Sequence, residues 1–451
     1  MKDKVKVRTL PGFMELLPKE QILFERIRGK MEEIYQSFGF FPLDTPVLEH
    51  SEILLAKAGG ETEKQIYRFD RGDTDLTMRF DLTVPLAKYA ALYSNDLVFP
   101  FRRYQIGKVY RGERAQKGRF REFYQADIDI IGDGSLSLKN DAEIPCIIYR
   151  VLTELGVDEF VIRLNNRKIL NGLFAVLNIR ENPAEILRVI DKLDKIGAEK
   201  VKEELLSLGV ETDAAGKLLT LLTEKKSNEE TLAGLRDFEG KDETLDLGIK
   251  ELAEVLSGIR SFGVPESYVE IDLAIARGLD YYTGTVYETM VKKHPEIGSV
   301  CSGGRYDDLA GFYTERKLPG VGMSIGLTRL FYILEAGDHL NRDQSSATDV
   351  LVLPMTEDLG EAARVAETLR KEGIRTQIYY EEKKFKQKMA YADRLSVPFC
   401  LFLGEDELAE HVVSLKNMST GEQVKVEEEK ALAIIKEELD RKRGGRLVDL
   451  S

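Results

Sequence analysis

The chain has 451 residues, 43% hydrophobic and 32% charged, with 78 acidic against 65 basic side chains and a net charge of −13. That size and balance predict an ordinary globular protein of about three domains; no apolar run reaches the roughly 18 residues that a membrane helix needs, so no membrane association is expected. The three cysteines (Cys146, Cys301, Cys400) and four histidines (His50, His294, His339, His411) are scattered without CxxC or clustered spacing, which argues against a disulfide framework and against a metal held by side chains, and makes a reducing cytoplasm the expected setting.

The opening stretch MKDKVKVRTLPG is charged and has no apolar core, unlike a secretory signal. Residues 18–37 place Ile22, Leu23, Ile27, Met31, Ile34 and Tyr35 at three- and four-residue spacing, predicting an amphipathic helix. FGFFPLDTPVLEH follows as extended chain, because Pro42 and Pro46 forbid helix. Between 66 and 132 the segments IYRFD, DLTMRFDLTVP, FPFRRYQIGKVYRG and FYQADIDIIG read as successive strands with few helices between them, which favours an antiparallel sheet. Around the turn joining the last two, Lys108, Arg111, Arg114, Lys117, Arg119 and Arg121 face a single acid, Glu113. An acidic chain that gathers cations on one loop directs them at an anion, and the guanidinium fork suits phosphate oxygens.

The strand after that loop carries Gln125, Asp127 and Asp129 on one face, since alternate strand residues share a side. On the residues alone, Asp127 reads as part of a solvated face. Asp129 lies in the apolar run IDIIG, where an unpaired carboxylate is costly. Residues 141–155 are helical, and 183–262 are dense in Leu, Lys and Glu with helical periodicity, a block inserted into the β-rich chain. Strands return between 268 and 307 (YVEIDLAIA, TVYETMV). They are followed by a helix at 320–336 whose Gly320, Gly322 and Gly326 permit close backbone approach to a ligand and whose start, near Arg329, favours anions. No GxxxxGK[ST] occurs, which excludes a P-loop.

DHLNRDQSSATD marks a polar boundary. Beyond it DVLVLPM, a helix at 359–372, RTQIYY, a helix at 384–395 and FCLFLG alternate strand with helix, predicting a small α/β domain with a mostly parallel sheet. Lys383, Lys384, Lys386 and Lys388 form either a phosphate contact or a wet helix face, and RKRGGR at 441–446 reads as a flexible tail.

YRGERAQKGRFREFYQADIDIIG (110–132), RGLDYYTGTVYE (277–288), GGRYD (303–307) and GMSIGLTRL (322–330) resemble the class II aminoacyl-tRNA synthetases, with RGLDYY and GGRYD similar to the histidyl-tRNA synthetase signatures. The resemblance covers nearly the whole chain. It implies an α+β fold: a class II antiparallel sheet flanked by helices in a catalytic domain at 1–335, with a helical insertion at about 165–262. A linker at 336–348 and an anticodon-binding α/β domain at 349–451 would follow. The helix and strand of residues 18–50 resemble the segment that builds the family's homodimer interface.

The same resemblance implies site roles. Arg111 would hold the ATP α-phosphate and the amino-acid carboxylate, Arg329 the γ-phosphate, and Glu113 and Phe123 the adenine. Arg277 would reach the α-phosphate from the other side, where many class II enzymes use a metal. Asp129, Tyr282 and Tyr306 would surround the imidazole of histidine, and Asp81, Thr83 and Gln125 its α-ammonium. Many bacterial members carry glutamate where Asp81 and Asp129 stand. Arg114 and Gln116 would meet the tRNA acceptor end. The implied activity is ATP- and Mg2+-dependent activation of histidine and its transfer to tRNA(His). The alternative is a non-enzymatic regulatory subunit of ATP phosphoribosyltransferase in histidine biosynthesis, built on the same fold but generally lacking the C-terminal domain.

Overall fold

The structure, a computed structural model, describes residues 4–56, 64–180, 182–275, 281–342, 345–357, 359–444 and 446–448. The chain separates into two compact units, one made of residues 1–15 and 28–338 and the other of 16–27 and 339–449.

The expected amphipathic helix runs from Pro18 to Ser37. Its buried stripe is Leu23, Phe24, Ile27, Met31, Ile34 and Tyr35, so Phe24 takes the inward place expected of Ile22. Each such side chain contributes about 1.5–3 kcal/mol by leaving water. The strands that follow are β1 (Phe41–Pro42), β2 (Leu48–His50), β3 (Arg68–Arg71), β4 (Thr74–Met78), β5 (Phe101–Tyr110) and β6 (Glu122–Ile131). Strands β2, β4 and β3 form a small antiparallel sheet of their own.

The segment DLTMRFDLTVP is a strand only in its first part. Residues Thr83–Leu92 are a helix, although Thr83 and Val84 are poor helix formers. The Asp81 carboxylate accepts the Val84 N–H at 3.1 Å, closing the first turn, and Pro85 is tolerated there because first-turn N–H groups have no helical partner.

Strands β7 (Phe160–Asn166), β8 (Val269–Ile271), β9 (Thr285–Val291), β10 (Cys301–Tyr306) and β11 (Gly320–Ile325) complete the main sheet. Among the described residues this sheet has the order β1-β5-β6-β11-β10-β9-β7-β8. All pairings from β5 to β7 are antiparallel, and only the two edge strands, β1 and β8, pair in parallel. Helix Lys139–Leu155 packs an apolar face that includes Ile144, Ile147, Ile148 and Val151. The helical block between β7 and β8 ends in a long helix, Glu243–Ser261. That helix meets helix Arg167–Val176 at two glycines. A Cβ on Gly172 would fall 2.6 Å from the Leu245 nitrogen, and one on Gly248 would fall 2.9 Å from that of Ile169.

In the second unit, β12 (Val350–Pro354), β13 (Thr376–Ile378), β14 (Phe399–Leu403), β15 (Val413–Asn417) and β16 (Gln423–Val426) form a sheet of order β13-β12-β14-β15-β16. The three strands read from sequence are parallel, but β15 and β16 add two antiparallel pairings, so the sheet is mixed rather than mostly parallel. Val350, Val352, Leu369, Phe399, Leu401, Leu415 and Ile435 fill its core. Of the tail expected to be flexible at 441–446, Gly445 lies outside the described residues. Helix Glu428–Arg443 runs through the tail's first three residues, and Val448 then pairs with Leu340. Among the described residues no helix is long and apolar enough to cross a membrane.

Candidate active site

A cavity of about 430 Å³ opens on one face of the main sheet. It is lined by Asp81, Thr83, Arg111, Glu113, Arg119, Phe123, Gln125, Asp127, Asp129, Tyr281, Tyr282, Glu288, Ser302, Tyr306, Ser324 and Arg329, with backbone from Gly118, Gly322 and Gly326. Sequence reading therefore brought together residues from five separate segments. Arg277 lies outside the described residues. Arg114 and Gln116 do not line the cavity. They stand exposed on the β5–β6 loop, where Gln116 and Arg119 exchange backbone hydrogen bonds across Gly118.

One end of the cavity is cationic. Arg111, at the end of β5, donates from Nε to the Phe80 carbonyl at 2.9 Å, and its guanidinium lies 5.2 Å from the centre of the Phe123 ring. Arg329, in the first turn of helix Leu327–Ala336, donates to the Gly118 carbonyl at 3.1 Å and to the Ser299 carbonyl at 2.6 Å. Both guanidiniums are therefore held by backbone rather than by carboxylates, so their charge is not cancelled. Burial, with the neighbouring Arg119 and Arg111 adding repulsion, holds the Arg329 pKa below its usual value. An anion placed there relieves that repulsion. Arg119 belongs to the basic run read from sequence, but its approach to Arg329 becomes visible only in the folded loop.

The other end is anionic and deeply buried. Asp81, Asp127 and Asp129 are each 2% exposed. Asp129 Oδ1 accepts the Tyr306 hydroxyl at 2.7 Å, and Oδ2 lies 2.6 Å from Nη2 of Arg103, a fully buried arginine placed directly opposite it in the β5–β6 register. Arg103 also donates to the Leu82 carbonyl at 3.0 Å. Three carboxyls against one guanidinium leave this pocket short of positive charge. Burial pushes Asp81 and Asp129 up to about 6 and Asp127 up to about 7, with Arg103 opposing the shift in all three. Half-buried Glu288, further along the same sheet face, is also raised to about 7 by burial.

The glycines before Arg329 act differently from the expectation of ligand contact. A Cβ on Gly322 would fall 2.2 Å from Asp129 Oδ1, and one on Gly320 would fall 2.3 Å from the Tyr306 ring. These two positions clear room for side chains of the pocket itself. Gly326 has no atom closer than 3.6 Å to its would-be Cβ. The GGRYD segment is likewise pinned from behind: Arg305 pairs with buried Asp141 at 2.6 Å, and Thr283 donates to Asp307 at 2.5 Å, which fixes the chain on either side of Tyr306 and Tyr282.

Two buried residues of this end were missed or misread. Arg103 carried no signal in FRRYQ, because a strand arginine beside a second arginine looks like surface. Asp127 is not on a solvated face: its alternation with Gln125 and Asp129 does place the three together, but the face they share is the buried wall of the cavity.

The histidyl-tRNA synthetase family profile matches residues 12–330, and an anticodon binding domain profile matches residues 349–438. A histidine–tRNA ligase of Clostridium tetani is 53% identical over 436 residues, covering 96% of this chain and 99% of its own. One of Clostridium acetobutylicum is 47% identical, covering 94% and 99%. The crystal structure of histidyl-tRNA synthetase from Nostoc sp. PCC 7120 superposes with a TM-score of 0.88 at 39% identity, covering 96% of this chain and all of that one. With a profile spanning most of its length and near-full-length relatives on both sides of 50% identity, the chain belongs to the histidyl-tRNA synthetase family.

Proposed function

We propose that this chain is a histidine–tRNA ligase that activates histidine with ATP to histidyl-adenylate and pyrophosphate, then transfers the histidyl group to the 3′ end of tRNA(His). The observation that carries this reading is the polarity of the cavity, which has arginines at one end and buried carboxylates at the other. Histidyl-adenylate has the matching polarity, with a phosphate at one end and an ammonium and imidazole at the other.

In the first step the histidine carboxylate, already ionised, attacks the α-phosphorus, and the bond to pyrophosphate breaks. Arg111 holds the α-phosphate and the carboxylate, Arg329 the γ-phosphate, and Arg277 the opposite side of the α-phosphate. Phe123 stacks on adenine and Glu113 accepts from it. Fixed cations aimed at the phosphorus supply the main stabilisation as charge develops. Mg2+ would accompany ATP as part of the substrate and would supply further charge to offset the phosphates, as suits a small hard cation. Tyr282, Tyr306 and Asp129 grip the imidazole, while Asp81, Thr83 and Gln125 face the ammonium. In the second step a ribose hydroxyl of the tRNA end attacks the adenylate carbonyl, the mixed anhydride breaks, and AMP leaves. Its proton passes to a phosphate oxygen, and Arg114 and Gln116 steady the acceptor end.

We further propose that residues 1–335 are the catalytic domain, 336–348 its linker and 349–451 the anticodon-binding domain, and that the chain works in the cytoplasm as a homodimer. Exposed Phe41 on the edge strand β1, with Leu48 and Phe69 on the small sheet, supplies apolar surface for that contact; light scattering measures it. The main test is ATP–pyrophosphate exchange with each of the twenty amino acids. Exchange with histidine alone, followed by charging of tRNA(His), is expected. Histidine binding without exchange would favour the regulatory-subunit alternative.

A further inference from the structure

The anionic end of the cavity has spare acceptors of a definite number. Asp81 Oδ1 is taken by the Val84 N–H, but its Oδ2 is buried without a donor. Gln125 donates from Nε2 to Ser324 Oγ at 2.7 Å, leaving its Oε1 buried without a donor. Ser324 sits opposite Asp127 in the β6–β11 register and hydrogen-bonds its carboxylate, yet Asp127 Oδ1 is also buried without a donor. Asp129 is different: its Oδ1 accepts the Tyr306 hydroxyl, and its Oδ2, though it too takes no hydrogen bond, lies 2.6 Å from Arg103 Nη2 and has its charge offset there. Thr83 also hydrogen-bonds Tyr281, which leaves lone pairs on its hydroxyl.

A buried acceptor left bare costs about 1–3 kcal/mol, and more when it is charged. Three such atoms lining one cavity therefore mark the place of a donor group. A primary ammonium has three N–H donors and no acceptor. The three atoms are also mechanically linked: Ser324 bridges Gln125 to Asp127, and the carboxylates of Asp81 and Asp127 repel one another. A cation set among them removes that repulsion.

We infer that Asp127 is a substrate-binding residue, its Oδ1 accepting one N–H of the amino-acid α-ammonium while Asp81 Oδ2 and Gln125 Oε1 accept the other two. The inference rests on the reading of histidine as substrate, and it adds Asp127 to the residues that face the ammonium, Asp81, Thr83 and Gln125. The arrangement also explains why Gln125 is not a carboxylate. Its amide donor is needed by Ser324, which in turn must spend its own proton on Asp127.

The experiment compares two ligands on the full-length protein by calorimetry: histidine, and 3-(imidazol-4-yl)propionate, which lacks only the ammonium. Asp127→Asn keeps the shape but removes the charge. It should weaken histidine by about 10- to 100-fold, the range for losing a charge-assisted hydrogen bond, and change the propionate by no more than about twofold. Asp129→Asn should weaken both, because it acts on the ring they share. Equal weakening of both ligands by Asp127→Asn, or of neither, overturns the assignment. If the Asn variant does not fold, Asp127→Ser is read by the same criteria. A wild-type protein that binds neither ligand overturns the histidine reading itself, and the assignment with it.

Discussion

The two ends of the cavity solve opposite problems. The arginine end is assembled from a loop and a helix start, is half-exposed, and is anchored on backbone carbonyls. The aspartate end is built on adjacent strands, is almost wholly buried, and contains acceptors that no donor of the protein reaches. A guanidinium is always charged and spreads that charge over a plane, so repulsion between neighbours does not discharge it. A buried carboxylate can instead take up a proton. The phosphate end is thus ready at any working pH, whereas the amino-acid end becomes fully charged only as its cation binds.

The largest effect should come from breaking the aspartate end at its one internal pair. Asp129→Ala removes the carboxylate in direct contact with buried Arg103 and leaves only Asp81 and Asp127 to offset its charge, a loss of at most about 3–5 kcal/mol in folding stability. In the same variant kcat/KM for histidine should fall by about 10³, since the imidazole N–H loses its acceptor, while the KM for ATP changes little. Urea unfolding and exchange kinetics measure the two losses. Equal rises in both KM values would mean that Asp129 supports the sheet as a whole and not one end of the site. The matching change at the other end, Arg111→Ala, should lower single-turnover adenylate formation by about 10²–10³ and weaken histidine as well as ATP, because the same guanidinium holds the amino-acid carboxylate. Its stability should fall less, because Arg111 acts on buried Asp81 only at a distance.

The two ends also differed in how well they could be read from the chain. The arginine end announces itself by composition, six basic residues around one turn. Helix 18–37 was legible to the residue, because its apolar stripe begins just after Pro18. The aspartate end was legible only in part. Gln125, Asp127 and Asp129 could be placed on one face by strand period, but period cannot distinguish a wet face from a buried cavity wall. The pairing of Arg103 with Asp129 depends on register, which a single strand does not encode. The helix at 83–92 was hidden because the Asp81 cap outweighs the strand preference of Thr83 and Val84. The roles of individual residues came from family resemblance, not from pattern.

A pH titration should separate the two ends by a smaller margin. Asp81, Asp127 and Asp129 have folded values near 6 to 7, above an unfolded value of about 3.9. The sign follows: the folded state holds protons that the unfolded chain has released, so the stability linked to these groups is full below about pH 4 and lost as pH rises through 6 to 7. Bound histidine favours their ionised forms, so its affinity should rise over that window with release of protons. The free ligand's own imidazole also titrates near pH 6.5, but identically for every variant. Asp127→Asn should therefore show a shallower rise than the wild type between pH 5.5 and 7.5, by about tenfold in the ratio of affinities. Parallel curves would show that Asp127 stays protonated or is not near the ligand. The KM for ATP should respond equally in the two proteins.

The smallest effect tests whether the cationic end continues outward from the cavity. Arg114 shares the β5–β6 loop with Arg119 but is exposed and does not line the cavity. If it meets the tRNA backbone, it contributes one screened phosphate contact and nothing to adenylate formation. Arg114→Ala should then leave ATP–pyrophosphate exchange unchanged and lower kcat/KM for tRNA by about three- to tenfold at low salt. The dependence of that constant on salt should flatten by about one unit of slope, or slightly less on single-stranded RNA, as expected when one counterion fewer is released. The salt slope decides the matter. A loop residue that merely props Arg119 would lower exchange as well and leave the slope where it was, whereas a true backbone contact moves the slope and spares the exchange.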